Sequence, residues 1–229
     1  MWCWLMKTPS TFINPKKQFQ DFLKKKTEIT PIEEPFILEW KYVQEMTELR
    51  RIWAPVGSTL FSDMLFIYNA IRKHNLKKGI EIGSWYGYGI YYMSHALKRN
   101  DGELISIDIK PLKARIRSIC IKNCEIIKGD SKRVLPQFAR TDVDFVFVDG
   151  DHSYDAVSKE IEILSKFQNL KIIFFHDMYP TSPAYKAWVD HCHLLNATED
   201  ELFIMDDSYY FFDENSPWKR YTGALKLKK

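Results

Sequence analysis

The chain has 229 residues, 33 basic against 30 acidic side chains for a net charge of +3, and 45% apolar, 15% aromatic and 28% charged residues. That length suits one α/β domain with an appendage, large enough to bury a core without disulfides or a structural metal. The composition excludes disorder, collagen-like repeats and coiled coil, and the near balance of charge gives no argument for nucleic acid by itself. Cys3, Cys120, Cys124 and Cys192 lack the spacing of a secreted disulfide scaffold. The apolar start Met1–Met6 is too short for a signal sequence and runs into Lys7 and Pro9. The longest apolar runs are strand-length, so no membrane contact and a reducing, cytoplasmic setting are expected.

Residues 1–56 hold Pro9, Pro15, Pro31, Pro35 and Pro55 but none of the nine glycines, and mix Lys16, Lys17 and Lys24–Lys26 with Phe12, Phe19 and Phe22. They read as an N-terminal arm or cap with aromatics packed down and lysines in water. From Thr59 the pattern is regular. Leu60, Met64, Ile67 and Ile71 step by four, three and four, the apolar face of a helix ending near Asn75. Gly79–Gly83 reads as a short buried strand, Ile90, Met93 and Leu97 as a helix, and Leu104–Asp108 as strand two. Pro111 is placed to open a third helix. Cys124–Lys128 reads as strand three, and Ser131–Ala139 as a short helix that must accommodate Pro136. Asp144–Asp149 is apolar on both faces, as a central parallel strand must be. Val157, Ile161 and Leu164 mark a helix, Lys171–Phe175 a fifth strand, and Ala184–Leu195 another helix. Leu202–Met205 and Gly223–Leu227 are strand-like and suited to antiparallel pairing. Alternating strands and helices predict a doubly wound, Rossmann-like, mostly parallel sheet of about seven strands, helices on both faces and an antiparallel edge, over residues 57–229.

In such a sheet ligands sit beyond the carboxyl ends of the strands. Strand one ends in Glu81-Ile82-Gly83-Ser84-Trp85-Tyr86-Gly87-Tyr88-Gly89. The glycines permit a tight turn and close backbone approach, but Trp85 stands where the dinucleotide fingerprint needs its second glycine, which argues against a nicotinamide enzyme. Strand two ends in Asp108, suited to ribose hydroxyls. Strand three ends in Gly129-Asp130-Ser131, where Asp130 suits an adenine amino group or a helix cap. Strand four ends in Asp149-Gly150-Asp151-His152-Ser153-Tyr154 and strand five in His176-Asp177-Met178. Acids and imidazoles on adjacent strand ends can converge on one point, and hard divalent cations take oxygen ligands. Cys120, Cys124, His191, Cys192 and His193 do not have zinc-knuckle spacing.

The segments EIGSWYGYG, ISID, KGDS, DFVFVDGDHSYDAVSKEI and IIFFHDM, between Thr59 and Met178, resemble class I S-adenosylmethionine-dependent methyltransferases. The DGDHSY and FHDM pair is most similar to the small-molecule O-methyltransferase branch, which includes catechol, macrolide-sugar and cephalosporin-hydroxylase-like proteins. The resemblance implies S-adenosylmethionine as cofactor, with Glu81 and Gly83 at its methionine end, Asp108 at the ribose, and Asp130 with Ser131 at the adenine. Ser84, Gly87 and Asp149 complete the cofactor set. Asp149, His176 and Asp177 fall where metal-dependent members hold Mg²⁺, with His176 in place of a carboxylate or amide. His152, three residues after Asp149, takes the place of the catechol enzymes' lysine and suits a general base; His152 and Asp149 are the catalytic pair so implied. Trp85, Tyr154 and Met178 are candidate walls for a small hydroxylated acceptor. The alternatives are a nucleic-acid methyltransferase, although the Pro-Pro-aromatic segment of amino methylation is missing after strand four, and a non-catalytic cofactor- or partner-binding module. A homo-oligomer stays open.

Overall fold

A computed structural model describes residues 39–49, 59–111, 122–206 and 221–227. The elements are α1 (Trp40–Thr47), α2 (Phe61–Lys73), β1 (Lys78–Ile82), α3 (Tyr88–Lys98), β2 (Glu103–Asp108), β3 (Cys124–Lys128), α4 (Ser131–Val134), β4 (Phe145–Val148), α5 (Tyr154–Leu164), β5 (Ile172–Phe175), α6 (Pro183–His191), β6 (Phe203–Asp206) and β7 (Tyr221–Lys226). The strands form one seven-stranded sheet in the order β3-β2-β1-β4-β5-β7-β6. β1 to β5 are parallel; β7 runs antiparallel between β5 and β6.

Side-chain alternation splits the core between the two faces of the sheet. Ile80, Ile82, Ile105, Ile107, Val146, Val148, Ile173 and Phe175 join Val157, Ile161 and Leu164 of α5 and Trp188 of α6 in one buried cluster. On the other face α3 packs against β1 and β2, and Phe66 of α2 packs edge-on against Phe174 at 6.1 Å between ring centroids. Beyond Val134 the predicted helix over Ser131–Ala139 tightens into a 3₁₀ turn, Leu135–Phe138. Pro136 has no N–H for a continuing α-helix and fits the first positions of the new turn. The predicted helix over Ala184–Leu195 likewise ends as 3₁₀ over Cys192–Leu195.

Within the predicted arm, α1 packs on α2. Val43 and Met46 are buried, Asn69 exchanges two hydrogen bonds with the Glu39 backbone, and Arg72 Nε donates to Glu45 Oε2 at 2.7 Å. Residues 1–38 and 50–58, the helix expected after Pro111 and the last two lysines lie outside the described residues.

Asp144 ties the amino-terminal edges of three strands together. Its Oδ2 accepts from the backbone N–H groups of Lys77 (2.7 Å) and Lys78 (3.0 Å), and Lys171 Nζ sits 2.6 Å from Oδ1. Burial presses this carboxyl up, but Lys171 and the two N–H groups outweigh it and hold it below the ordinary range. Stability from a depressed carboxyl is present above the unfolded value and lost as pH falls through the folded one. Asp144→Ala is therefore expected to cost about 2 kcal/mol near neutrality, the scale of charge-assisted hydrogen bonds, and less below about pH 4. Urea denaturation of both chains at the two pH values checks this.

Candidate functional site

The register aligns the carboxyl ends of the parallel strands: Ile82 pairs with Ile107 on one side and Val148 on the other, and Val148 pairs with Phe175. Gly83, Asp108, Asp149 and His176, the next residues or the last, therefore form a row. The row is centred between β1 and β4, where the strand order reverses and a crevice opens.

Gly83 has φ +94°, and a Cβ there would lie 2.1 Å from the Asp149 carbonyl oxygen. Only glycine permits that turn and that approach between strand ends. Its N–H donates to Ile107 O at 2.8 Å. The turn ends at Gly87, φ +80°, the residue before α3. Asp108 organises the turn: its Oδ2 accepts from the N–H groups of Ser84 (2.9 Å) and Trp85 (3.0 Å), and its Oδ1 from Lys110 N–H at 2.6 Å. A carboxylate has about four lone-pair sites, so three backbone donors leave room for one ribose hydroxyl at Oδ1. The sequence reading placed ribose here and did not foresee the backbone role.

Glu81 is buried. Its Oε2 accepts from Ser106 Oγ, and Ser106 Oγ also meets Ser84 Oγ at 2.7 Å. A Cβ on Gly89 would fall 2.2 Å from Glu81 Oε1, so the bare backbone of α3 lets its first turn sit against this carboxylate. Asp130 caps α4, accepting from Lys132 N–H at 3.0 Å. Ser131 Oγ donates to Glu160 Oε1 at 2.7 Å.

Beyond β4 and β5 the acids and imidazoles converge. His176 Nδ1 lies 2.9 Å from Asp149 Oδ1 and 3.6 Å from Asp177 Oδ1, and its Nε2 lies 3.6 Å from Asp63 Oδ2. The ring is buried, and neither nitrogen has an aligned hydrogen bond. His152 Nε2 stands 3.6 Å from Asp149 Oδ1 and 3.8 Å from Asp177 Oδ2. Thr59 Oγ1 donates to Asp149 Oδ2 at 2.8 Å. Burial presses the Asp149 carboxyl up, yet His176, His152 and the Thr59 hydroxyl hold it below its ordinary range. Burial also favours a neutral His176, but Asp149 and Asp63 outweigh it and raise the imidazole well above its ordinary value. Asp149 Oδ1, His152 and His176 offer three donor atoms within 4.8 Å of one another.

A cavity of about 650 Å³ opens over these strand ends, within the size range of small-ligand sites. Of the sequence-identified residues it brings together Glu81, Gly83, Ser84, Asp108, Asp130, Ser131, Asp149 and His152, while Gly87, His176 and Asp177 are not among the residues that line it. Trp85 lines it, half exposed, with Ile109. The other two expected acceptor walls do not. Met178 is wholly buried in the core, and the Tyr154 hydroxyl donates to Asp190 Oδ2 at 2.9 Å. Sequence reasoning missed Thr59 and Asp63. Asp63 is fully buried near the start of α2 and accepts from Leu60 N–H at 2.9 Å and from Thr222 Oγ1 of β7. A signal existed: Asp63 falls four residues before Ile67, an acid on an apolar helical stripe.

Comparison with known proteins agrees with this arrangement. A sequence-family model described as a methyltransferase domain matches residues 80–178. No curated protein matches the chain. Among solved structures, the chain is similar to the O-methyltransferase TomG of tomaymycin synthesis from Streptomyces achromogenes, in complex with S-adenosylmethionine, at 14% identity and TM-score 0.58 over 95% of this chain and 100% of that one. It is also similar to an O-methyltransferase from Bacillus cereus in complex with S-adenosylhomocysteine, at 14% identity and TM-score 0.56 over 93% and 99%. A Podospora anserina methyltransferase with S-adenosylhomocysteine bound matches at 12% identity and TM-score 0.55 over 97% and 100%. These likenesses establish the fold. No helix among the described residues is long and apolar enough to cross a membrane, and the methyltransferase-domain match over residues 80–178 spans the ends of β1 to β5 that build the cavity.

Proposed function

We propose that the chain transfers a methyl group from S-adenosylmethionine to a hydroxyl oxygen of a small molecule. We assign the catalytic domain to residues 57–229, preceded by an arm over 1–56, in a cytoplasmic setting suited to the free thiols of Cys124 and Cys192. The carrying observation is His152. Its imidazole opens on the cavity lined by the cofactor residues, with Nε2 between the carboxylates of Asp149 and Asp177. The O–CH₃ bond forms as the S–CH₃ bond breaks, S-adenosylhomocysteine leaves, and the hydroxyl proton passes to His152 Nε2. The two carboxylates stabilise the imidazolium so formed, and the buried His176, held between Asp149 and Asp63, fixes the Asp149 carboxylate in place. In this reading Glu81, Asp108, Asp130 and Ser131 hold the cofactor along the row of strand ends, so positioning supplies much of the acceleration.

Mg²⁺, the second cofactor implied by the resemblance, does not fit this donor set. Mg²⁺ demands oxygen ligands and keeps several waters, whereas in the group whose donor atoms lie within 4.8 Å of one another, Asp149, His152 and His176, two of the three are imidazole nitrogens, which suit borderline transition ions. His176 Nδ1 also already stands 2.9 Å from Asp149 Oδ1, the oxygen a cation would need. Proton removal then falls to His152 alone. Initial rates with EDTA are expected to stay within about twofold of rates with Mg²⁺; a tenfold loss restored by Mg²⁺ overturns this assignment.

The reading is tested by incubating the protein with methyl-labelled S-adenosylmethionine and a panel of catechols, sugars and phenolic acids, followed by mass spectrometry. Label in a methyl ether is expected. Label in nucleic acid but in none of the small hydroxyl compounds overturns it.

A further inference from the structure

Glu160 lies on the buried face of α5 with Val157, Ile161 and Leu164, only 1% exposed. An acid among aliphatic side chains is costly unless both its oxygens are satisfied. Only one is. Oε1 accepts from Ser131 Oγ at 2.7 Å, while Oε2 is buried with no hydrogen-bond partner among the described residues. Ser131 in turn lines the cavity. We propose that Glu160 is a positioning residue that sets the hydrogen-bonding sense of Ser131 toward the cofactor's purine, and through it the preference for adenine. This rests on the reading that the adenine lies at Asp130 and Ser131.

A serine hydroxyl has one proton and two lone pairs. While Glu160 is ionised, that proton is committed to Oε1, and Ser131 presents only lone pairs to the cavity; it can accept from a 6-amino group and cannot donate to a 6-oxo group. Once Glu160 is protonated the acid can donate to Ser131 Oγ, which frees the serine proton to turn into the cavity. The charged groups facing Glu160 are Lys132 and Asp130 at the start of α4 and Asp151 in the loop before α5. Burial raises the Glu160 carboxyl most. Ser131 and Lys132 oppose that, Asp151 and Asp130 add to it, and the carboxyl is pushed up to about 7. Both forms of Glu160 are therefore populated near neutrality.

The test is calorimetric titration with S-adenosylhomocysteine and with S-inosylhomocysteine, at about pH 6 and about pH 8.5, taking the ratio of the two affinities. The ligands differ only around the purine six-position, so other titrating groups of the cavity, His152 included, act on what they share and cancel. The preference for the adenosyl ligand is expected to be about tenfold larger at the higher pH, the worth of one hydrogen bond gained or lost. Glu160→Gln and, with Glu160 intact, Ser131→Ala are each expected to give a ratio independent of pH. A wild-type ratio that does not change with pH, or a Glu160→Gln ratio that still does, overturns the inference, and the wild-type arm needs no variant to fold. If neither ligand binds folded protein at either pH, the cofactor assignment of the cavity fails first, a distinguishable result.

Discussion

His152→Ala is expected to lower kcat by about 10²–10⁴, the range for loss of a positioned general base, while cofactor affinity changes by less than about threefold. The asymmetry follows from where the side chain stands. His152 contributes one wall of the cavity, but among the described residues its Nε2 faces the carboxylates of Asp149 and Asp177, at 3.6 and 3.8 Å. Removing it leaves the glycine turn, Asp108 and Glu81 untouched. Steady-state kinetics on the best acceptor, with calorimetry on the same preparation, checks the pair of values. A variant with near wild-type kcat places the base elsewhere, and equal losses in kcat and cofactor affinity make His152 a structural wall.

Gly83→Ala is expected to damage stability and cofactor binding together. The residue sits at φ +94°, and the new Cβ would meet backbone: the Asp149 carbonyl oxygen at 2.1 Å and Gly150 Cα at 2.9 Å. Neither can swing aside as a flexible side chain could, so β1 and β4 must part or the turn must change conformation. Backbone strain of this kind costs about 1–3 kcal/mol, and overpacking adds about 1–3 kcal/mol. The Ser84 and Trp85 N–H groups would leave Asp108 in the same movement, so cofactor affinity should fall more than about tenfold, the equivalent of one hydrogen bond of about 1.4 kcal/mol. Gly150→Ala is the control. Its Cβ would first meet the Ile82 Cγ2 methyl, at 3.0 Å, and should be tolerated far better. Denaturant midpoints for both variants decide the matter; equal midpoints would show that the approach of β1 to β4 is not what Gly83 provides.

Much of this architecture is legible in the sequence because the central parallel strands β4 and β5 are apolar on both sides and the strands around them keep short apolar runs. The runs at Cys124–Lys128 and Asp144–Asp149 contain their strands to within one residue at each end. The polar residues that follow β1 to β4 line the cavity, since a parallel sheet leaves few other places for them. Where β7 lies is not legible. Gly223–Leu227 reads as a strand, but its insertion between β5 and β6 is set by pairings made far along the chain, Phe174 with Ala224 and Phe203 with Ala224. Asp108 was legible as an acid at a strand end; its three backbone bonds depend on the path of the Ser84–Trp85 turn, which local patterning does not encode. Asp63 escaped for a different reason. An acid at the start of a helix has an ordinary explanation as a cap, and Asp63 does receive the Leu60 N–H. Its second role, facing His176 from across the sheet end, appears only once α2 is docked.

In this reading the row of strand-end residues from Asp130 to Asp149 holds S-adenosylmethionine, and calorimetric titration of that cofactor into the wild-type protein and into Asp108→Ala decides whether it does. One cofactor per chain at micromolar affinity is expected, weakened about tenfold to a hundredfold in the variant as a charge-assisted bond and the ordered turn are lost together. Absence of binding to folded wild-type protein, or unchanged affinity in a folded Asp108→Ala variant, would contradict it.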